Sequence, residues 1–196
     1  MKIFLIGMMG SGKSFCSKKL AKKLKIPAFD LDTIIEMTED LTIAEIFEEE
    51  GEEYFRKEEA KILRWFGEKK AFVLATGGGT PCFHKNMDWM NENGITIWLN
   101  EPVPVLVERL KTEKEHRPLL KDLSDDELAS FLTNKIAERK LYYSMAKHTI
   151  EYSTMKDADL LDLLKEEIKK FKEETEKLKV ESEKLQEVSQ KKKSKK

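Results

Sequence analysis

Lys2-Ile3-Phe4-Leu5-Ile6-Gly7-Met8-Met9-Gly10-Ser11-Gly12-Lys13-Ser14 decides the reading of this 196-residue chain. Its first half, Lys2 to Gly7, is a short apolar run consistent with a buried strand. Residues 14–24 then alternate apolar and charged positions at helical spacing. Between them, Gly7 to Ser14 matches G-x-x-x-x-G-K-S. Glycines at these places let the backbone turn tightly, so that several N–H groups converge on phosphate oxygens. A helix opening near Lys13 aims its positive end at the same anion. Lys13 has the reach for the β- and γ-phosphates, and Ser14 offers a hydroxyl to Mg²⁺. The expected ligand is a nucleoside triphosphate with Mg²⁺. The same stretch imitates a secretory leader, but Lys13 arrives too soon and no small-x-small cleavage site follows.

Outward from this loop, short apolar runs alternate with amphipathic ones. Strands are expected at 28–31, 71–76, 95–99 and 149–152. Helices are expected at 33–37, 42–49, 52–66, about 85–91, 103–110 and 125–146. Such alternation implies an α/β fold, a parallel sheet covered on both faces.

Composition sets the outer bounds. Lys and Arg number 36 against 37 Asp and Glu, a net charge of −1, which argues against a generally basic nucleic-acid binder. No run of 18 apolar residues exists to cross a membrane. Two cysteines, Cys16 and Cys82, provide neither a disulfide scaffold nor a four-cysteine zinc site, and a cytoplasmic location is expected. Charge is uneven. Residues 165–196 hold 12 Lys and 8 Glu, leaving the rest at −5. From Leu164 onward, Leu164, Phe171, Leu178 and Leu185 recur every seven residues, while their seam partners weaken to Thr175, Ser182 and Ser189. That pattern predicts a helix packing on the body to about Phe171, then a charged helical extension that frays, with residues 191–196 disordered. A partner-binding coiled coil is the other reading of this tail.

Several residues beyond the loop carry acceptor chemistry. Asp30 and Asp32 sit at the end of the second predicted strand, where open α/β sheets bind ligands. In an extended segment both share one face. One then suits Mg²⁺ through water and the other an attacking hydroxyl; helix capping before Thr33 is the structural alternative. Gly77-Gly78-Gly79 exceeds what a simple turn needs and suggests close backbone approach to a substrate. Arg56 and Arg139 have the planar fork that clamps a carboxylate. Arg117 lies in a charged stretch, 111–122, that suits a lid closing over a transferring phosphoryl group.

Taken in order, GMMGSGKS at 7–14, Asp30-x-Asp32, Ile43-x-x-Ile46-Phe47, Gly51-Glu52, Phe55-Arg56-x-x-Glu59, Thr76-Gly77-Gly78-Gly79, Arg117-Pro118-Leu119-Leu120 and Arg139-x-x-Tyr142-x-x-x-Ala146 resemble the shikimate kinases. These belong to the nucleoside-monophosphate-kinase-like P-loop group, and the resemblance runs from about residue 2 to 164. It implies a three-layer α/β/α domain over 1–171, with a five-stranded parallel sheet in the order 2-3-1-4-5, a lid at about 111–123 and a separate tail, 172–196. It implies ATP and shikimate as ligands, with Gly10, Ser11, Gly12, Lys13, Ser14, Phe15, Arg109 and Arg117 on the nucleotide. Arg109 would lie against the adenine. Ser14 would bind Mg²⁺ directly and Asp30 through water. Asp32, Arg56, Gly78, Gly79 and Arg139 would hold shikimate, Glu59 would hold Arg56, and Lys13, Asp32 and Arg117 would be catalytic.

The expected reaction is phosphoryl transfer from Mg·ATP to the shikimate 3-hydroxyl by a monomer acting on neither nucleic acid nor membrane. Asp32 needs no raised pKa for this, since a loose transition state lessens the need for early proton removal. Two other functions are open at this point: a kinase for gluconate or a nucleoside monophosphate, and a nucleotide-binding adaptor that engages a partner through its tail. Phe15, where Ser or Thr is usual, and the tail depart from the family pattern.

Overall fold

The computed structural model describes residues 1–112, 120, 123–173 and 175–177. Two compact units divide the chain: Lys2–Met155, and a second made of Met1 with Lys156–Lys196. In the second, α8 (Asp157–Leu163) is followed by helical residues 165–173 and 175–177. Leu178, Leu185 and the lysine-rich end lie outside the described residues, as do most of the expected lid and Arg117.

The first unit is a parallel sheet of β1 (Lys2–Gly7), β2 (Ala28–Asp30), β3 (Phe72–Ala75), β4 (Ile95–Leu99) and β5 (His148–Ile150). Its order is β2-β3-β1-β4-β5, as the resemblance implied. Helices α1 (Lys13–Leu24), α2 (Leu31–Glu39), α3 (Ile43–Glu49), α4 (Gly51–Trp65), α5 (Asn86–Asn93), α6 (Val103–Lys111) and α7 (Asp125–Tyr143) connect the strands. A parallel sheet covered on both faces makes its central strands uniformly apolar. In β1, Ile3, Phe4, Leu5 and Ile6 are all without exposure. Phe4 and Ile6 join a core with Leu31, Ile35, Phe55, Phe66 and Tyr143. A second cluster, Met8 with Leu106, Leu110, Leu120, Leu128 and Leu132, lies beside the phosphate loop.

Local chemistry starts the helices. Thr42 and Glu45 form a reciprocal capping box on α3, and Ser124 and Glu127 form one on α7. At α1 the cap is different. Gly12 takes left-handed φ (87°) and no side chain caps the helix. Gly7, at φ 140°, passes so near β4 that an added Cβ would lie 2.6 Å from the Leu99 carbonyl oxygen.

The expected extended pair of acids is corrected here. β2 ends at Asp30, and Asp32 belongs to the first turn of α2. Leu31 and Ile35, four apart and both fully buried, form a helical stripe, and that period overrides alternation. Asp30 occupies the cap position without making a side-chain capping bond, and its carboxylate turns to the phosphate loop instead.

Phe4 meets Phe72 and Trp89 edge-on at centroid distances of 5.4 and 5.8 Å. Phe4→Ala should therefore cost about 3–5 kcal/mol in urea unfolding at unchanged m-value.

Candidate active site

The C-terminal ends of the strands form one edge, where β1 gives way to the phosphate loop, β2 to Asp30 and β3 to the three glycines. In the phosphate loop, Lys13 Nζ donates to the carbonyls of Gly7 and Met8, at 2.9 Å each. Ser14 Oγ donates to Asp30 Oδ2 at 2.5 Å, so helix α1 and strand β2 already share an oxygen-rich point. Ser11 Oγ is fully buried, with no hydrogen-bond partner among the described residues. Arg109 Nη1 donates to the Gly10 carbonyl at 3.0 Å, and its Nη2 lies 3.7 Å from the buried Glu101. Tyr152 and Arg109 border Gly12 on the same side. Phe15 is exposed, with the Lys19 ammonium 5.7 Å from its ring centre.

The three glycines face four charged groups. A Cβ on Gly77 would lie 2.8 Å from Asp32 Oδ1 and 3.0 Å from Glu59 Oε1. On Gly78 it would lie 3.0 Å from Arg139 Nη1, and on Gly79 2.6 Å from Arg56 Nη2. None of the three has positive φ, so glycine is needed for close approach rather than for backbone conformation. The segment thereby gathers Asp32, Glu59, Arg56 and Arg139 around a few residues of backbone.

Arg56 is 9 % exposed. Its Nη1 donates to Glu59 Oε2 at 3.0 Å, while Nε and Nη2 donate to Glu52 Oε1 at 3.2 Å. Phe83 and Phe55 place their ring centres 4.4 and 4.9 Å from the guanidinium carbon. Arg139 Nη1 contacts Met8 Sδ at 3.6 Å. Tyr143, one turn further along α7, is fully buried and donates to the Gly78 carbonyl at 2.6 Å. Burial pushes its pKa up to about 12, with Arg139 pulling the other way, so it stays a donor.

Asp32 has a pKa raised to about 6, first by burial, then by the charges of Asp30 and Glu59, with Lys13 acting in the opposite sense. No raised pKa is expected for Asp32 from the sequence. The shift comes first from the burial of Asp32, then from the carboxylates of Asp30, two residues away, and of Glu59 on α4. Sequence reasoning also missed Thr80, whose hydroxyl bonds Glu59, Glu101 beside Arg109, and Tyr143. Tyr143 adjoins the Tyr142 of the quoted motif, and Thr80 follows the glycines, so both stood next to recognised signals.

A carboxyl whose folded pKa exceeds its unfolded value binds protons more tightly when folded. Its contribution to stability is therefore lost as pH rises through about 4 to 6. Asp32→Asn should melt higher than the parent at pH 7.5, with the gain shrinking towards pH 4. Scanning calorimetry at the two pH values, without nucleotide or metal, checks this.

With this geometry in view, the sequence matches the shikimate kinase family over residues 9–176. It is 42% identical over 171 residues to shikimate kinase of Flavobacterium psychrophilum, covering 86% of this chain and 97% of that one. Its structure resembles the crystal structure of shikimate kinase from Bacteroides thetaiotaomicron with a TM-score of 0.80 and 38% identity, over 84% of this chain and 98% of that one. Shikimate kinase from Acinetobacter baumannii in complex with shikimate follows at 0.73 and 34%, over 85% and 92%. A phosphate loop, a buried arginine beside three glycines and this degree of likeness lead to one statement: the chain belongs to the shikimate kinase family.

Proposed function

We propose that the chain transfers the γ-phosphoryl group of ATP to the 3-hydroxyl of shikimate, yielding shikimate 3-phosphate and ADP. The observation that carries this reading is the convergence of the phosphate loop, Asp32 and the Arg56–Glu59 pair on one sheet edge. The relative whose structure contains shikimate supports the choice of acceptor. Family membership does not favour the gluconate, nucleoside-monophosphate or adaptor alternatives.

In this reading, backbone amides of the Gly10–Ser14 loop and the Lys13 ammonium hold the ATP phosphates. Lys13 exchanges its loop carbonyls for phosphate oxygens, a stronger charge-assisted pairing. Phe15 and Arg109 border the rest of the nucleotide. The Ser14 hydroxyl and Asp30 carboxylate are hard oxygen donors already side by side, which fits Mg²⁺. They would hold it directly and through water, respectively. When bound, the ion neutralises phosphate charge. Arg56 and Arg139 take the shikimate carboxylate, with Gly78 and Gly79 offering backbone at close range. Asp32, ionised at neutral pH with a pKa of about 6, orients the acceptor hydroxyl and receives its proton. Arg117, outside the described residues, is proposed to close over the transferring group. The catalytic body is proposed to end near residue 171, with 172–196 dispensable for turnover.

ADP release from ATP and Mg²⁺ should require shikimate and stay at background with gluconate or AMP. Lys13→Ala should lower kcat by about a hundredfold or more. Arg139→Ala should raise the shikimate KM about tenfold or more, at little cost to the ATP KM. Release that depends on another acceptor would overturn the arginine assignments. A chain ending at Phe171 should retain full turnover; its loss would overturn the proposed boundary.

A further inference from the structure

We infer that Thr80, with Asn86 and Arg64 behind it, positions the Arg56 guanidinium, so that acceptor affinity depends on three residues outside the proposed binding set. The inference rests on the role proposed above for Arg56. Its starting point is Glu59, which has no exposure and divides its two oxygens. Oε2 accepts from Arg56, and Oε1 accepts from the Thr80 hydroxyl at 2.5 Å. Removing that hydroxyl leaves one carboxylate oxygen bare in a buried setting, where an unpaired charged group is costly. The carboxylate then relaxes by turning towards another donor, which alters its grip on Arg56.

Thr80 is itself fastened. It opens the turn Thr80–Cys82, and its carbonyl accepts from Asn86 Nδ2 at 2.9 Å. Asn86 is fully buried, and its Oδ1 accepts from Arg64 Nη1 at 2.8 Å. Arg64 Nη2 donates to the His84 carbonyl at 2.9 Å, while its guanidinium lies over the Trp89 ring at 4.9 Å. His84 and Lys85 hold left-handed φ of 47° and 54° without being glycine, a conformation that needs such fastening. Arg56, Glu59 and Arg64 all stand on α4. The segment 79–86 is therefore fixed to that helix at two places, Thr80 on Glu59 and Asn86 with His84 on Arg64. Within it, Gly79 leaves the space that the guanidinium of Arg56 fills, and Phe83 faces that guanidinium. A shift of this segment moves two of the surfaces that define the guanidinium's pose.

Steady-state kinetics with shikimate and ATP varied separately test this. Thr80→Val keeps the shape and removes the hydroxyl. It should raise the shikimate KM about tenfold with the ATP KM unchanged, whereas Thr80→Ser should stay within about twofold of the parent. Arg64→Met, altered far from the acceptor, should raise the shikimate KM about threefold. In an Arg56→Lys background, Thr80→Val should add no further increase, because the two changes act through one contact. An unchanged shikimate KM, parallel rises in both KM values, or additivity in the double variant would each overturn the inference. Should Thr80→Val not fold, Arg64→Met decides by the same KM criterion. The parent's own turnover of shikimate checks the underlying function in the same assay. If that fails, the Arg56 Nε–H nuclear magnetic resonance signal decides. It should move in Thr80→Val and not in Thr80→Ser, and an unmoved signal refutes the positioning role.

Discussion

Glu59 is the residue around which the proposed acceptor half of the site is arranged. A carboxylate with no access to water has to be compensated in place, by cations and by hydrogen-bond donors. Arg56 supplies the first and Thr80 the second, so both are drawn to one point of α4. That demand also explains Gly77, whose missing Cβ leaves room for Glu59 and Asp32 together. Two carboxylates and a guanidinium within a few ångströms of one backbone segment form an electrostatic unit. The pKa of Asp32 registers it: burial and the charges of Asp30 and Glu59 raise it to about 6, against the opposing influence of Lys13.

The nucleotide half is organised differently. There the proposed binding groups are mainly backbone amides, and the constraints are conformational. Gly10 and Gly12 take positive φ, and Gly10 also presses on Leu110 so closely that an added Cβ would lie 2.9 Å from its Cγ. The loop therefore rests on the second apolar cluster, which includes Met8 and Leu110. The acceptor half is arranged by paired charges and the nucleotide half by main-chain shape. The two meet at Lys13 and at the Ser14–Asp30 bond.

How far each part was legible in the sequence follows from this difference. Main-chain constraints appear as glycine spacing, so the phosphate loop, the strand before it and the helix after it could be read directly. The sheet order is not a property of spacing; it came from resemblance, and the strand pairing agrees with it. Asp32 was placed on the wrong kind of element, because a three-residue strand leaves too little alternation to outweigh the Leu31–Ile35 helical pair. Its raised pKa was illegible for a deeper reason. The burial of Asp32 and the nearness of Glu59 come from the packing of α2 on α4, whereas Asp30 is a neighbour in the sequence itself.

Two arginines make the same point from opposite sides. Arg56 and Glu59 are three apart on one helix, a spacing that puts their side chains on one face whatever else the chain does. Their pairing was open to sequence reasoning. Arg109 is held by Glu101, from the turn between β4 and α6, which also accepts from the Ser153 amide at 2.8 Å. That arrangement joins the loop after β4 and the loop after β5 to the rim of the phosphate loop, through Arg109 and Gly10. No periodicity links positions 10, 101, 109 and 153. They meet because β1, β4 and β5 are adjacent parallel strands whose ends lie at one edge, so this side of the site is a consequence of topology before it is one of sequence.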